Sequence, residues 1–228
     1  MPNQRLLMHK ITIAIDGFSG TGKSSTAKKV AGELGYTYID SGAMYRATTL
    51  YFLEQDVSLD DASQVEHALD TLDIRFEEGH VLLNGQDVSN EIRTMRVNEH
   101  VSAVSTIAVV RHAMVAQQQK IGKGKGIVMD GRDIGTVVFP GAELKVFMTA
   151  NTRIRAERRQ SELAEKGIIE ELNVIENNLS QRDEIDSTRS ESPLRKAEDA
   201  VEIDTSNLTF ADQVHKIVSL AKEKIHAS

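Results

Sequence analysis

The chain has 228 residues, no cysteine and a formal net charge of −7. That length suits one sizeable α/β domain, or a domain with an insert. The missing cysteines exclude disulfides, thiolate metal sites and cysteine nucleophiles, and fit a reducing compartment. The acidic balance argues against a protein that coats nucleic acid. No apolar run approaches a membrane span, and MPNQRLLMHK at the start lacks the apolar centre of a signal peptide. A cytoplasmic protein without membrane or nucleic-acid partners is expected. No coiled-coil pattern or large apolar surface stripe calls for an oligomer, so the expected state is a monomer.

Residues 11–15, ITIAI, form a short β-branched run that suits a strand buried on both faces. A glycine-rich turn follows. Ala27, Val30, Ala31 and Leu34 then mark one face of a helix that Gly35 closes. YTYID (36–40) predicts a second strand and GAMYRATTLYFLEQ a second helix, so the chain starts as a parallel β-α-β-α unit.

Residues 56–95 read differently. Ser58 and Asp61 suggest a capping box ahead of a helix with Val65, Ala68, Leu69 and Leu72 on one face. DIRFEE, HVLL and QDV follow as short strands, with turn signals at Glu78-Gly79 and Asn84-Gly85. A small antiparallel meander inside a parallel chain reads as an insert. The parallel pattern resumes with strands at 126–130, 144–150 and 200–204. Helical stretches cover 97–121, 152–166, 168–189 and 209–227; Val214, Ile217, Val218, Ala221 and Ile225 form the buried stripe of the last. There are no repeats or low-complexity tracts.

Gly17, four residues, Gly22, Lys23 and Ser24 match G-x-x-x-x-G-K-[ST]. The glycines let the backbone curl so that successive N–H groups face phosphate oxygens. The helix beginning near Lys23 adds its positive end. Lys23 would reach the β- and γ-phosphates, and the Ser24 hydroxyl would take a Mg²⁺ position. A glycine-rich turn that merely happens to carry a lysine is the plain alternative; the strand before it and the helix after it favour the P-loop. Nucleoside triphosphate binding does not name a reaction. A GTPase would also show Asn-Lys-x-Asp and Asp-x-x-Gly, and neither string occurs. A motor or transport ATPase needs more chain. A small kinase remains.

Such a kinase must hold a second anion, which arginine forks do well. Arginines occur where a doubly wound sheet places its site, after the carboxyl ends of strands. Arg46 follows the second strand in DSGAMYR. Arg132 and Asp133 follow the third in DGRD. Singly, Arg46 could be a surface helix arginine and DGRD a solvated turn; their joint placement favours a site. In RDEIDSTR, Arg182, Asp186 and Arg189 share one helical face. That face is either a solvated ion-pair ladder or a clamp of two cations and a carboxylate, and periodicity leaves the choice open. RIRAERRQ, with Arg155, Arg158 and Arg159, is either a solvated helix or a lid whose arginine closes on a transferring phosphate.

The motifs IDGFSGTGKSS, DSGAMYR, VSNEIRT, DGRDIGTVVFP, RAERR and QRDEIDSTR run in one order over about residues 11–204. They resemble the bacterial-type cytidylate (CMP) kinases of the nucleoside monophosphate kinase family. DSGAMYR and DGRDIGTVVFP are far more specific than the P-loop. The resemblance implies a P-loop kinase domain over 1–228: a five-stranded parallel sheet flanked by helices. It also implies a monophosphate-binding region at 41–97, containing a small α+β insert at 56–95, and a short lid at 153–167. It implies transfer of the γ-phosphate of ATP, with Mg²⁺, to CMP or dCMP. ATP would lie on Gly17, Phe18, Ser19, Gly20, Thr21, Gly22, Lys23, Ser24 and Ser25. Ser41 and Tyr45 would line the monophosphate pocket, with Arg46, Arg132 and Arg189 on its phosphate. Ser102, Arg111 and Asp133 would read cytosine, and Arg182 and Asp186 would hold the sugar. Arg158, then Arg155, would be the catalytic lid arginine beside Lys23. UMP, AMP or shikimate as acceptor, or a nucleotide-gated switch, are the rival readings.

One consequence is geometric. Ser102 and Arg111 are nine residues apart and would lie on opposite faces of a straight helix. For both to touch one base, the helix must break, and an interruption is expected near Thr106–Val109.

Overall fold

A computed structural model describes residues 9–77, 79–165 and 167–227. Five strands make one parallel sheet: β1 (Thr12–Gly17), β2 (Thr37–Asp40), β6 (Ile127–Gly131), β7 (Leu144–Thr149) and β8 (Val201–Asp204). Their order is β2-β6-β1-β7-β8, with every neighbouring pair parallel. β1 is central and buried throughout. From it the sheet grows in both directions, so the crevice above its carboxyl end is the topological switch point where such sheets bind ligands.

The period-2 alternation of β1 decides which helix covers which face. Ile11, Ile13 and Ile15 pack with Val30 and Ala31 of α1 (Lys23–Leu34) and with Val214, Ile217, Val218 and Ala221 of α8 (Phe210–Ala227). Ala14 points the other way, into a cluster with Ile39, Met129, Ile134 and Val138. Gly35 ends α1 in the left-handed conformation, at φ 66°, and its N–H returns to the last turn of the helix.

The insert is real and joined to the body. α3 (Ala62–Asp70) leads into an antiparallel sheet of β3 (Ile74–Glu77), β4 (His80–Leu83) and β5 (Gln86–Asp87). Asn84 and Gly85 both take positive φ, as a two-residue hairpin turn requires. Of the expected turn at Glu78-Gly79, Glu78 lies outside the described residues. The insert's apolar side chains, among them Val65, Ile74, Val81 and Leu83, form one cluster with three further helices. These are α2 (Ser41–Glu54), α4 (Met95–Val104) and α5 (Ala108–Gly122).

Two local expectations shift. The cap of α3 is Asp61, whose carboxylate accepts from Ser63 N and Gln64 N, while Ser58 N donates to Gln64 Oε1. The expected helix over 97–121 is two helices. The break falls at Ser105–Ile107, about one residue earlier than the spacing argument placed it, with Ile107 extended. Neither proline nor glycine makes it. Ser105 Oγ and Thr106 Oγ1 turn back onto the carbonyls of Ser102 and Ala103, at 2.8 and 2.7 Å. These bonds satisfy the orphan acceptors that end a helix. The last two helices on the site side, α6 (Thr152–Glu165) and α7 (Leu172–Thr188), pack on each other.

Candidate active site

The P-loop leaves β1 at Gly17, whose φ is 150° and whose missing Cβ would sit 2.1 Å from Met148 O of β7. Only glycine lets the two backbones approach so closely. Thr21 Oγ1 donates to Phe18 O at 3.0 Å, tightening the turn. Ser19 and Gly20 back onto Arg155, and Gly22, at φ 86°, opens α1. Lys23 is buried, and its ammonium donates to Phe18 O at 2.9 Å. Burial, and then the charge of Arg132, push its pKa down to about 7. Ser24 and Ser25 stand on the exposed first turn.

Ser24 Oγ donates to Asp130 Oδ2 at 2.7 Å, and Tyr38 OH donates to Asp130 Oδ1 at 2.8 Å. Asp130 is fully buried, and burial together with the Asp40 charge holds its carboxyl above the usual range. The sequence reading missed Asp130. Its signal was present as an apolar strand, IVM, ending in a carboxylate one strand away from the P-loop, which is where P-loop proteins keep the second Mg²⁺-holding group. A hydroxyl and a carboxylate 2.7 Å apart are a hard-oxygen donor pair. Mg²⁺ takes such a pair together with substrate phosphates and water. Among the described residues no group of three His, Cys, Asp or Glu side chains gathers that could hold a metal by itself.

The remaining side chains form two linked groups. Arg46, Arg132 and Arg182 are electrostatic neighbours, and Arg132 and Arg182 both act on Lys23. Among the described residues Arg46 makes one ion pair, with Asp40 at 4.0 Å. Arg182 makes no hydrogen bond or ion pair among the described residues, and its pKa falls to about 10 through burial, then through Arg132 and Arg46. Cations crowded in this way create a site for an anion. Ser41, at the start of α2, donates to Asp130 O at 2.6 Å.

The second group is Arg111, Asp133, Tyr45 and Arg189. Arg111 is 1% exposed. It donates from Nη2 to Asp133 Oδ2 at 2.6 Å and from Nη1 to Ser105 O at 3.0 Å, and lies 5.2 Å over the Tyr45 ring. The helix break therefore gives Arg111 a carbonyl to hold. Among the described residues, Arg111 Nε and Tyr45 OH are buried without a hydrogen-bond partner. Ser102 lies on α4, its carbonyl held by Ser105. Asp186 joins the two groups: it accepts from Arg132 Nε at 2.7 Å and from Arg189 Nη1 at 3.2 Å. Burial works to raise its pKa, but Arg132, Arg189 and Arg182 together outweigh that and hold it below the usual range.

The two arginines expected to act from the lid are engaged elsewhere. Arg158 donates to the hydroxyl and carbonyl of Thr205, after β8. Arg155 is buried and pairs with Asp183 at 2.6 Å. Of the three arginines in this run, Arg159 is the one felt electrostatically at Arg182; it pairs with Glu162 at 3.1 Å.

A family model described as cytidylate kinase matches residues 13–223. The chain belongs to the cytidylate kinase family. A cytidylate kinase of Bacteroides fragilis is 52% identical over 96% of this chain and 100% of its own length. One from Cytophaga hutchinsonii is 50% identical over 96% of each chain. Among solved structures, a shikimate kinase from Bacteroides thetaiotaomicron superposes with a TM-score of 0.49 at 12% identity, covering 94% of this chain and 99% of that one. The family assignment rests on the sequence relatives. Motif order, P-loop and paired arginines all agree with it.

Proposed function

We propose that the protein transfers the γ-phosphate of ATP to CMP, giving CDP and ADP, with dCMP as a second acceptor. The observation that carries the acceptor side is the buried Arg111–Asp133 pair. It leaves Arg111 Nε without a partner. Asp133 Oδ1 makes no hydrogen bond among the described residues. Cytosine presents an amino donor at N4 and acceptors at N3 and O2, so one uncommitted donor and one uncommitted acceptor match it. Uracil would bring O4 against the Asp133 carboxylate, a buried mismatch that can discriminate by roughly 10⁴-fold. The Ser102 hydroxyl supplies a further contact.

The rest of the acceptor follows from the two groups of side chains. Arg46 and Arg132 hold the monophosphate, and Ser41 and Tyr45 wall it. Arg182 and Asp186 take the sugar, where the phosphate group and the base group meet. Arg189, neighbour of Arg111 and Asp133, fits the base side better than the phosphate position first expected for it. Region 41–97 closes over the monophosphate and the 153–167 segment over the triphosphate, with Arg159 the lid cation nearest the arginine cluster.

Lys23 exchanges Phe18 O for a β- or γ-phosphate oxygen. Ser24 and Asp130 would hold Mg²⁺, which when bound would offset the charge of the phosphates. The P–O bond to the β-phosphate breaks as one forms to a CMP phosphate oxygen. That oxygen is already an anion, so no protein base is needed; positioning and charge stabilisation carry the step. Closure excludes water, which would otherwise hydrolyse ATP. We place the protein in the cytoplasm, a reading its lack of cysteine supports, and as a monomer.

The test is steady-state ADP release from MgATP with CMP, dCMP, UMP, AMP or shikimate. Turnover with CMP and dCMP and weak turnover with UMP is expected. Preference for another acceptor would discard Ser102, Arg111 and Asp133 as cytosine readers.

A further inference from the structure

The side chain of Arg155 is spent on the protein itself. It is 4% exposed. Its Nε donates to Ala150 O at 3.1 Å, Nη2 to Thr152 Oγ1 at 2.9 Å, and Nη1 to both Ser19 O at 3.1 Å and Asp183 Oδ2 at 2.6 Å. The guanidinium lies 5.5 Å over the ring of Phe18, which meets Phe147 edge-on at 6.0 Å. A cation that swings onto a transferring phosphate needs a free fork, and this one would first give up four hydrogen bonds. Its partners instead belong to two different parts of the site. Phe18 and Ser19 are P-loop residues. Asp183 stands on α7, one residue after Arg182 and three before Asp186.

We propose that Arg155 and Asp183 are positioning residues, forming a strut that links P-loop occupancy to the placement of Arg182 and Asp186, and so makes CMP bind more tightly when the ATP site is filled. The inference rests on the proposed reading of those two sites. The coupling path is contiguous. Lys23 donates to Phe18 O at 2.9 Å, so a phosphate that claims the ammonium removes that bond from the segment on which Arg155 rests. Arg155 passes the adjustment to Asp183, and α7 passes it to Asp186, which is held at its far side by Arg132 at 2.7 Å. Among the described residues Asp183 Oδ1 is buried without a hydrogen-bond partner, and the carboxylate's one ion pair is with Arg155.

The experiment measures the dissociation constant of CMP by calorimetry, with and without a saturating non-hydrolysable ATP analogue and Mg²⁺. Wild type, Asp183→Ala, Asp183→Asn and Arg155→Lys are compared. Site–site couplings of this kind are typically ~5-fold or more, and the wild type is expected to show at least that tightening. In Asp183→Ala the ratio should fall below ~5-fold, the low end of such couplings, while CMP affinity without analogue changes little. Asp183→Asn keeps shape and an acceptor but no charge, so it should be intermediate; Arg155→Lys should resemble Asp183→Ala. A wild-type ratio of one overturns the proposal. So does a folded variant that keeps the wild-type ratio, because a merely structural role would lower the melting temperature and leave the ratio alone. If Asp183→Ala does not fold, the two milder variants decide. Wild-type ADP release that does not depend on CMP would instead defeat the reading of the sites themselves.

Discussion

Two buried ionisable side chains set the pH behaviour of single residues here. Lys23 in the nucleotide-free protein has its pKa pushed down to about 7, first by burial and then by Arg132. A bound triphosphate favours its charged form. Above pH 7, therefore, ATP binding must take up a proton at Lys23, and this residue's contribution to affinity weakens as pH rises. Calorimetry at pH 8 in two buffers of different ionisation enthalpy should show greater proton uptake for wild type than for Lys23→Met. Equal uptake would remove Lys23 from the phosphate. Asp16 lies beneath the same loop and accepts from Ile134 N at 2.8 Å and Gly135 N at 2.7 Å, clipping the Asp133 turn to β1. Burial, aided by Asp133, raises its pKa to about 7. The folded state therefore keeps a proton that the unfolded chain has lost. That stabilisation is complete below about pH 4, near the ordinary carboxyl value, and is lost as pH rises through 7. Asp16→Asn, neutral throughout, should flatten the fall in melting temperature between pH 4 and 7 relative to wild type.

At the scale of elements, the site depends on how closely β1 and β7 meet. A Cβ on Gly17 would stand 2.1 Å from a backbone oxygen, which cannot rotate away as a side chain could. Gly17→Ala should cost about 3 kcal/mol or more, the range of severe core overpacking, as read from urea melts; a loss under about 1 kcal/mol would show that β7 can yield. Elsewhere local chemistry and tertiary need converge. Two residues assigned to one base demanded a break between α4 and α5, and the structure has it. Its cause, hydroxyls of Ser105 and Thr106 bonding back to α4 carbonyls, was present in the sequence as an unremarked Ser-Thr pair. The cap of α3 was misplaced by three residues: Ser58 and Asp61 are both competent caps, and the structure uses Asp61.

Across the whole molecule, the residues proposed for ATP and for cytosine stand on different elements. The P-loop belongs to β1 and α1, and the proposed cytosine readers Arg111 and Asp133 to α5 and the turn after β6. Asp133→Ala should therefore cut kcat/KM for CMP by roughly 10² or more, the scale of losing a buried hydrogen-bonding group in a specific site, while the KM for ATP moves less than threefold. Equal losses in both would mean that Asp133 supports the fold rather than the base. Steady-state kinetics with each substrate varied in turn reads this directly.

The sequence by itself determined the phosphate cradle, the parallel sheet and the family, because each is encoded in neighbouring residues: a glycine spacing, an apolar alternation, a run of motifs. Only the tertiary structure decided which charges are free. Arg46, Arg155 and Arg182 are equal as letters, yet Arg155 is consumed by Asp183, 28 residues away, and by Ser19, 136 residues away. Among the described residues Arg182 makes no ion pair, and it lies beside Arg132 and Arg46. Ion pairing depends on distances between elements far apart in the chain, and burial decides what each pair is worth. No periodicity along one segment carries that information.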